Sequence, residues 1–280
     1  MSNRKIILIT GGTSGIGKET VRKLSFTEAT VVFTARDAKK GESTKKEITE
    51  ETGNNNIGYL LCDLASLTSI KECAREFQKR YNRLDVLINN AGVLPQERQE
   101  SKDGIELNLA VNYLAPFLLT NLLLPLLKQC APAQVVNVSS SLHAEGMINF
   151  EDLQSKKSFD KYKAYAQSKL ALILFTKKLA KKLDGSGVTV NALHPGVVGT
   201  EMTMQNVRKM NPITAFIYKR TLITPAQGAE TSVYLATSPD VAVVSGEYFV
   251  SKKISHASPL ASDKAVAEKL WDISAKLVGL

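Results

Sequence analysis

The sequence predicts an α/β fold: a doubly wound, mostly parallel sheet of about seven strands with helices on both faces. Three observations carry this. Short β-branched runs recur along the 280 residues, charged amphipathic stretches separate them, and no Pro-, Gly- or Ser-rich linker divides the chain. The runs are continuously apolar rather than alternating, as strands covered on both faces must be. Strands alternating with helices form βαβ units and hence a parallel sheet. One domain over 1–280 is expected.

The strands are read in order as "KIILIT" (5–10), "TVVFTA" (30–35), "IGYLLCD" (57–63), "LDVLINN" (84–90), "AQVVNVS" (133–139), "GVTVNALH" (187–194) and "GEYFV" (246–250). Helical segments such as "AKKGESTKKEITEETG" and "SLTSIKECAREFQKRYN" lie between them. The most apolar stretch, "APFLLTNLLLPLLK" (115–128), is interrupted by Thr120, Asn121 and Pro125. It reads as a buried or interface helix, not a membrane span. The terminal "EKLWDISAKLVGL" is an amphipathic helix with Leu270, Trp271, Ile273 and Leu277 as core anchors.

Composition narrows the function. The chain is 44% hydrophobic and 22% charged, as soluble globular proteins are. Net charge is +9, but the lysines are spread over many helices with no aromatic-interleaved patch, which argues against nucleic acid. The three cysteines show no CxxC spacing, so neither a disulfide framework nor a zinc site is expected and a reduced cytoplasmic setting fits. His143, His194 and His256 are too far apart in sequence to suggest a metal set. The N-terminal apolar run is too short to cross a bilayer and lacks a cleavage pattern.

The first strand runs into "TGGTSGIGKET". Strand, glycine-rich turn and helix start make a phosphate site, because glycines let the backbone approach the ligand and the helix end offers free N–H groups. Gly12 to Lys18 fits the opening of an ATP-type phosphate loop, but Glu19 stands where that motif needs Ser or Thr, and Thr20 is one place late. The alternative is a dinucleotide loop with Gly11, Gly15 and Gly17. At the end of the second strand Arg36 stands where an NAD site carries an acid. A guanidinium suits the 2′-phosphate of NADP, with Lys18 as a second charge and Asp37 as a complication. NADP(H) is therefore favoured over NAD(H).

Further motifs follow in order: "CDL" (62–64), "NNAG" (89–92), "VNY" (111–113), "NVSS" (137–140), "YAQSK" (165–169) and "HPG" (194–196). With the glycine loop they make the chain resemble the short-chain dehydrogenase/reductase family over nearly its whole length. The "CDLASL", "YAQSKLALILFTKKLAKKL" and "LHPGVVGTEM" segments resemble its retinol dehydrogenase-like branch. The resemblance implies a Rossmann-type fold and assigns Tyr165 as acid/base and Lys169 as its partner. It makes Ser140 the substrate-orienting hydroxyl and Asn112 the holder of a relay water. It also implies a cofactor site of Gly11, Thr13, Ser14, Gly15, Ile16, Gly17, Arg36, Asp63, Leu64, Asn89, Ala91, Gly92, Tyr165, Lys169, Pro195, Gly196, Val198 and Thr200. Asp63 and Leu64 would meet adenine, Asn89, Ala91 and Gly92 the adenosine ribose, and residues 195–200 the nicotinamide.

The chemistry is consistent with those roles. Positions four apart share a helix face, so Tyr165 and Lys169 point into one volume. A nearby ammonium is expected to lower the phenol's pKa, and the tuned phenol would take a proton from an alcohol or give one to a carbonyl. Ser140 would bond the substrate oxygen as charge develops there. His143, just after that serine, is in a position to face the substrate.

Ser140 and Tyr165 are 25 positions apart, with an extra segment about 143–161 that the branch also carries. The stretch 202–227 falls where the family places its substrate lid. It mixes Ile213, Phe216, Ile217, Tyr218 and Leu222 with Arg208, Lys209, Lys219 and Arg220, which implies a small lipophilic alcohol, aldehyde or ketone as substrate. Those basic residues permit at most peripheral membrane contact. Retinoid-active relatives often carry an N-terminal anchor, whereas this chain starts almost at its first strand. Family members pair through the two apolar helices, so a homodimer or homotetramer is compatible, as is a monomer. Two other readings stay open: a cofactor-binding regulator with little turnover, and light-dependent reduction of a tetrapyrrole.

Overall fold

The structure is a computed structural model. It describes residues 4–280, excepting the side chains of residues 206, 212, 213, 216 and 217. Three residues of the expected lid wall, Ile213, Phe216 and Ile217, thus have side chains outside the described residues.

The strands are β1 (Ile6–Ile9), β2 (Thr30–Ala35), β3 (Ile57–Leu61), β4 (Val86–Asn89), β5 (Ala133–Val138), β6 (Val188–His194), β7 (Tyr248–Val250) and β8 (Lys253–Ser255). They form one sheet in the order β3-β2-β1-β4-β5-β6-β7-β8. β1 to β7 are parallel and only β8 runs antiparallel, against β7. The expected seven strands are thus joined by an eighth. Its turn is Ser251–Lys252, with φ of 50° and 65°, a tight hairpin without the Asn-Gly chemistry that would have flagged it.

Alternation along each strand feeds two cores. Leu8, Val32, Leu87, Val135 and Val190 face one side, and Ile7, Ile9, Val31, Phe33, Ile88 and Val136 the other. The first core is covered by α3 (Leu67–Arg80), α4 (Leu107–Gln129) and α5 (Lys161–Lys182). The second lies under α1 (Gly15–Ser25), α2 (Ala38–Thr52) and a helix of the C-terminal third. That third contains α6 (Glu201–Val207), α7 (Pro212–Thr221), α8 (Pro225–Gly228), α9 (Glu230–Thr237) and α10 (Lys264–Val278).

α4 is long and apolar enough to cross a membrane, but 78% of its apolar window is buried in the protein. α10 lies across α4 and α5. The Trp271 ring is 4.9 Å from Phe117 and 5.8 Å from Phe175, and the Tyr113 hydroxyl meets Ser274 Oγ at 2.7 Å. The C-terminal helix is therefore a packing element, as its apolar stripe predicts. The strand order reverses between β1 and β4, which opens a crevice at their C-terminal ends.

Candidate active site

At the end of β1 the chain turns through Gly11 (φ 72°) and Gly15 (φ 53°) into α1. A Cβ on Gly17 would stand 2.2 Å from the Gly11 carbonyl and 2.4 Å from Asn90 Nδ2, so only glycine lets helix and turn close. Ser14 caps α1 without a side-chain bond, which leaves first-turn N–H groups to receive an anion. Thr200 packs against Gly15, whose Cβ would lie 3.2 Å from Thr200 Cγ2. The loop after β6 thereby meets the glycine loop, as the motif order implies. Gly196 (φ 91°) and buried Val198 lie on that loop, and Val198 bridges Ile223.

Around the expected adenosine end, Arg36 is exposed and faces Asp63. Partial burial opposes the Asp63 charge. Bonds from Lys102 and the Ala65 N–H, with the charges of Lys102 and Arg36, hold its carboxyl below the usual carboxylate range. Asp37 is no competitor for a phosphate, since it caps α2 by accepting from the Lys40 N–H at 2.8 Å. Lys18 is not spare either. It pairs with Glu47 at 2.7 Å, in a network where Arg22 bonds Glu19, Glu47 and Glu51 and ties α1 to α2. Leu64 turns its side chain into the core.

One assignment needs correction. Asn89 does not reach toward a ribose. Its amide is buried beneath the sheet, donating to Thr120 Oγ1 at 3.0 Å and Asn137 Oδ1 at 2.8 Å. Asn137 passes the chain on to Thr176 at 2.9 Å, so β4, β5, α4 and α5 share one polar network. The neighbour Asn90 faces the crevice side, donating to the Thr10 carbonyl at 2.9 Å and touching the glycine loop. Thr10 Oγ1 accepts in turn from the N–H groups of Asn90 and Ala91. Sequence reasoning passed over Asn90 and Thr10, although strand alternation places 89 and 90 on opposite faces.

Asn112, Ser140, Tyr165 and Lys169 come together. Asn112 lies in a π-helical turn, Ala110–Leu114, with its side chain clamped to both polar groups of Val93 and to Ser168 Oγ. Ser168 Oγ donates to the Tyr165 carbonyl at 2.7 Å. Lys169 is only 3% exposed, and its Nζ donates to the Val138 carbonyl at 2.9 Å. That ammonium lies 5.6 Å from the centre of the Tyr165 ring, and a Cβ on Gly92 would stand 3.4 Å from both it and Asn112 Oδ1. Ser139 fixes the helix from the other side, donating to the Lys169 carbonyl at 2.9 Å. Ser140 Oγ accepts from the Leu142 N–H at 3.2 Å, which leaves its own proton to donate.

Burial depresses Lys169 to about 8 and pushes the Tyr165 phenol up to about 12, while the Ser140 hydroxyl favours the phenolate. The expectation that Lys169 lowers the phenol is thus not met within the protein alone: desolvation dominates, and the opposing effect comes from the Ser140 hydroxyl rather than from the ammonium.

His143 does not face a substrate. Its Nδ1 meets the Ser140 carbonyl at 2.7 Å and its Nε2 accepts from the Ser258 N–H at 3.0 Å. The segment about 143–161 is laid along α5, held by Gln167, which accepts from Asn149 N–H at 2.8 Å and donates to the Leu153 carbonyl at 3.0 Å. In the 202–227 stretch, Tyr218 and Leu222 are half-buried, and Arg208, Lys209, Lys219 and Arg220 are exposed. Lys209 and Lys161 both donate to Gln96 Oε1, at 3.0 and 2.9 Å, joining this stretch to the start of α5 one turn before Tyr165. Among the described residues no cluster of His, Cys, Asp or Glu is arranged to hold a metal ion.

A reversing parallel sheet with a glycine turn and an open helix N-terminus at its switch point defines the class of dinucleotide-binding α/β proteins. The family model described as short chain dehydrogenase matches residues 5–211. Human retinol dehydrogenase 14 is 43% identical over 291 residues, spanning 99% of this chain and 87% of that protein. Mouse retinol dehydrogenase 13 is 43% identical over 281 residues, spanning 99% and 84%. The RhlG/NADP active-site complex of Pseudomonas aeruginosa superposes with a TM-score of 0.73 at 27% identity, covering 89% of this chain and 94% of that one. The chain belongs to the short-chain dehydrogenase family, in its retinol dehydrogenase-like branch, and is an oxidoreductase.

Proposed function

We propose that the protein interconverts a lipophilic alcohol and its aldehyde or ketone with NADP(H). The observation that carries this is the convergence of Tyr165, Lys169 and Ser140 beside Gly92, with the glycine loop opening on the same crevice. The glycine turn, the N–H groups of α1 and exposed Arg36 fit a dinucleotide with a 2′-phosphate. The NADP in the RhlG structure supports that choice. Residues 195–200 would flank the nicotinamide, and Asp63 and the Leu64 backbone the adenine. When bound, the cofactor supplies or accepts the hydride.

The protein's own residues handle the proton. A phenol near 12 is protonated at neutral pH, the form that donates to a carbonyl oxygen during reduction. In the oxidative direction the same group must lose its proton, which a positive charge beside it favours. Ser140 Oγ, with the Leu142 N–H on one lone pair, donates to the substrate oxygen as charge builds there. Lys169 would bond the ribose hydroxyls, and the clamped Asn112 turn would hold the relay water. The half-buried Tyr218 and Leu222 support an apolar substrate. A cytoplasmic protein with peripheral contact to anionic membrane through Arg208, Lys209, Lys219 and Arg220 completes the reading.

The test is NADPH oxidation followed with retinal and with medium-chain aldehydes and ketones. Tyr165→Phe is expected to lower kcat about 10²- to 10⁴-fold. Full turnover in that variant would remove the assigned role. Arg36→Ala is expected to raise KM for NADPH about tenfold and leave NADH nearly unchanged. An equal change for both nucleotides would refute 2′-phosphate recognition.

A further inference from the structure

We infer that His143 and His194 are positioning residues for Ser140: they grip the two polar groups of the Ser140–Ser141 peptide and so set where the Ser140 hydroxyl points. The inference rests on the reading of Ser140 as the group that bonds the substrate oxygen.

The Ser140 carbonyl accepts from His143 Nδ1 at 2.7 Å, and the Ser141 N–H donates to His194 Nδ1 at 3.2 Å. These are the two ends of one planar peptide, so any rotation of that plane breaks both bonds together. The ring roles follow from their partners. His143 Nε2 accepts the Ser258 N–H at 3.0 Å, so its proton is on Nδ1, which donates. His194 Nδ1 receives an N–H and is therefore unprotonated. Neutral rings at both positions are what the clamp needs. Burial favours them, holding His143 below the usual histidine value and His194 at about 4.

The clamp stands where the sheet stops supporting the chain. Ser139 N–H makes a bond of 2.7 Å to the Leu193 carbonyl at the end of β5. Beyond it the backbone leaves into a 3-10 turn, Ser141–Glu145. The backbone His143 N–H reaches the Ser140 carbonyl at a longer 3.2 Å, and the two rings supply the rest. His143 is itself fixed edge-on to Tyr248, with ring centres 4.9 Å apart, and His194 is the last residue of β6. The hydroxyl's direction is thus tied to β6, β7 and the segment at Ser258 rather than to its own strand.

Asn places an amide near the depth of Nδ1, and Gln near that of Nε2. His194→Leu removes the acceptor and His194→Asn restores one. His143→Gln drops the bond to Ser140 and keeps that to Ser258, whereas His143→Asn does the reverse. A hydroxyl displaced by about 1 Å costs on the order of 10- to 100-fold in rate. We expect kcat losses of that size for His194→Leu and His143→Gln, and recovery to within about threefold in the two Asn variants. The NADPH dissociation constant, read by nucleotide fluorescence, stays within about twofold throughout, which separates aim from folding. Combined with Ser140→Ala, the histidine substitutions cost nothing further, since the group they aim is gone.

Wild-type kcat in His194→Leu and His143→Gln, alongside an inactive Ser140→Ala, would overturn the clamp. So would losses that multiply with that of Ser140→Ala, or loss of NADPH binding that the Asn variants fail to restore. Wild-type turnover in Ser140→Ala is a separate result: it overturns the role of Ser140 and the clamp with it.

Discussion

Lys169 is where folding and chemistry pull in opposite directions. Its ammonium has one carbonyl partner from Val138 and almost no solvent, and burial brings it from 10.5 to about 8. A folded value below the unfolded one means the unfolded chain binds more protons between about 8 and 10.5. Stability therefore rises with pH across that window, and the cost is complete below it. The shift corresponds to roughly 3 kcal/mol. Lys169→Met keeps the stem and removes the charge. It is expected to raise the thermal midpoint at pH 7 by several degrees, to flatten the rise of stability between pH 8 and 10.5, and to abolish turnover. A variant that keeps the wild-type pH slope in thermal melts would show that the slope comes from another group. The Tyr–Lys spacing was readable because helical periodicity is rigid. The direction of the Tyr165 shift was not, because it depends on burial, which spacing does not report. Asn89 failed for a related reason: a motif string preserves order but not which face each residue takes. Its true partners make a stability prediction. Asn137→Ala breaks bonds to Asn89 and Thr176 and leaves buried polar atoms unpaired, at a cost of about 1–3 kcal/mol in denaturant unfolding.

At the scale of elements, seven strands were legible because parallel strands covered on both faces are plain apolar runs. β8 was not, since three residues of mixed polarity after a Ser-Lys turn carry no such signature. Gln167 pins the segment about 143–161 along α5, two residues from Tyr165, and that contact arises from two backbone groups with no sequence mark. The glycine turn was legible as a phosphate site, but its fit to Asn90 shows how narrowly it is built. Gly17→Ala would force a methyl to within 2.2 Å of the Gly11 carbonyl and 2.4 Å of the Asn90 amide, so the turn must open. The expected outcome is at least a tenfold weaker NADPH affinity in fluorescence titration, with a smaller loss of thermal stability. Gly53→Ala is the control: its φ of 71° strains an alanine, but a Cβ there meets nothing within 4 Å. It should destabilise the chain without touching NADPH affinity. Equal effects on affinity would mean that the turn is not the nucleotide site.

Across the whole molecule, the question raised by the sequence was what covers the apolar faces of α4 and α5. Within one chain, α10 does. Trp271 packs against both Phe117 and Phe175, and its ring also receives Lys182, whose ammonium stands 4.8 Å from the ring centre. Tyr113 binds Ser274, and Lys178 pairs with Glu268 at the rim. Tyr113 is next to Asn112 in the π-helical turn, and Phe175 follows Tyr165 and Lys169 on α5. The same contact that hides the apolar surface therefore braces both helices that carry the proposed chemistry. With the apolar face met by α10 within one chain, we expect a monomer in light scattering at micromolar concentration. Trp271→Glu places a charge against two phenylalanines and should undock α10. Two consequences should then appear together: association through the uncovered face, and a fall in kcat as the π-helical turn loosens. Dimers of the unaltered protein that persist on dilution would show that pairing uses another surface. A monomeric, fully active Trp271→Glu would show that α10 neither covers nor braces the catalytic helices.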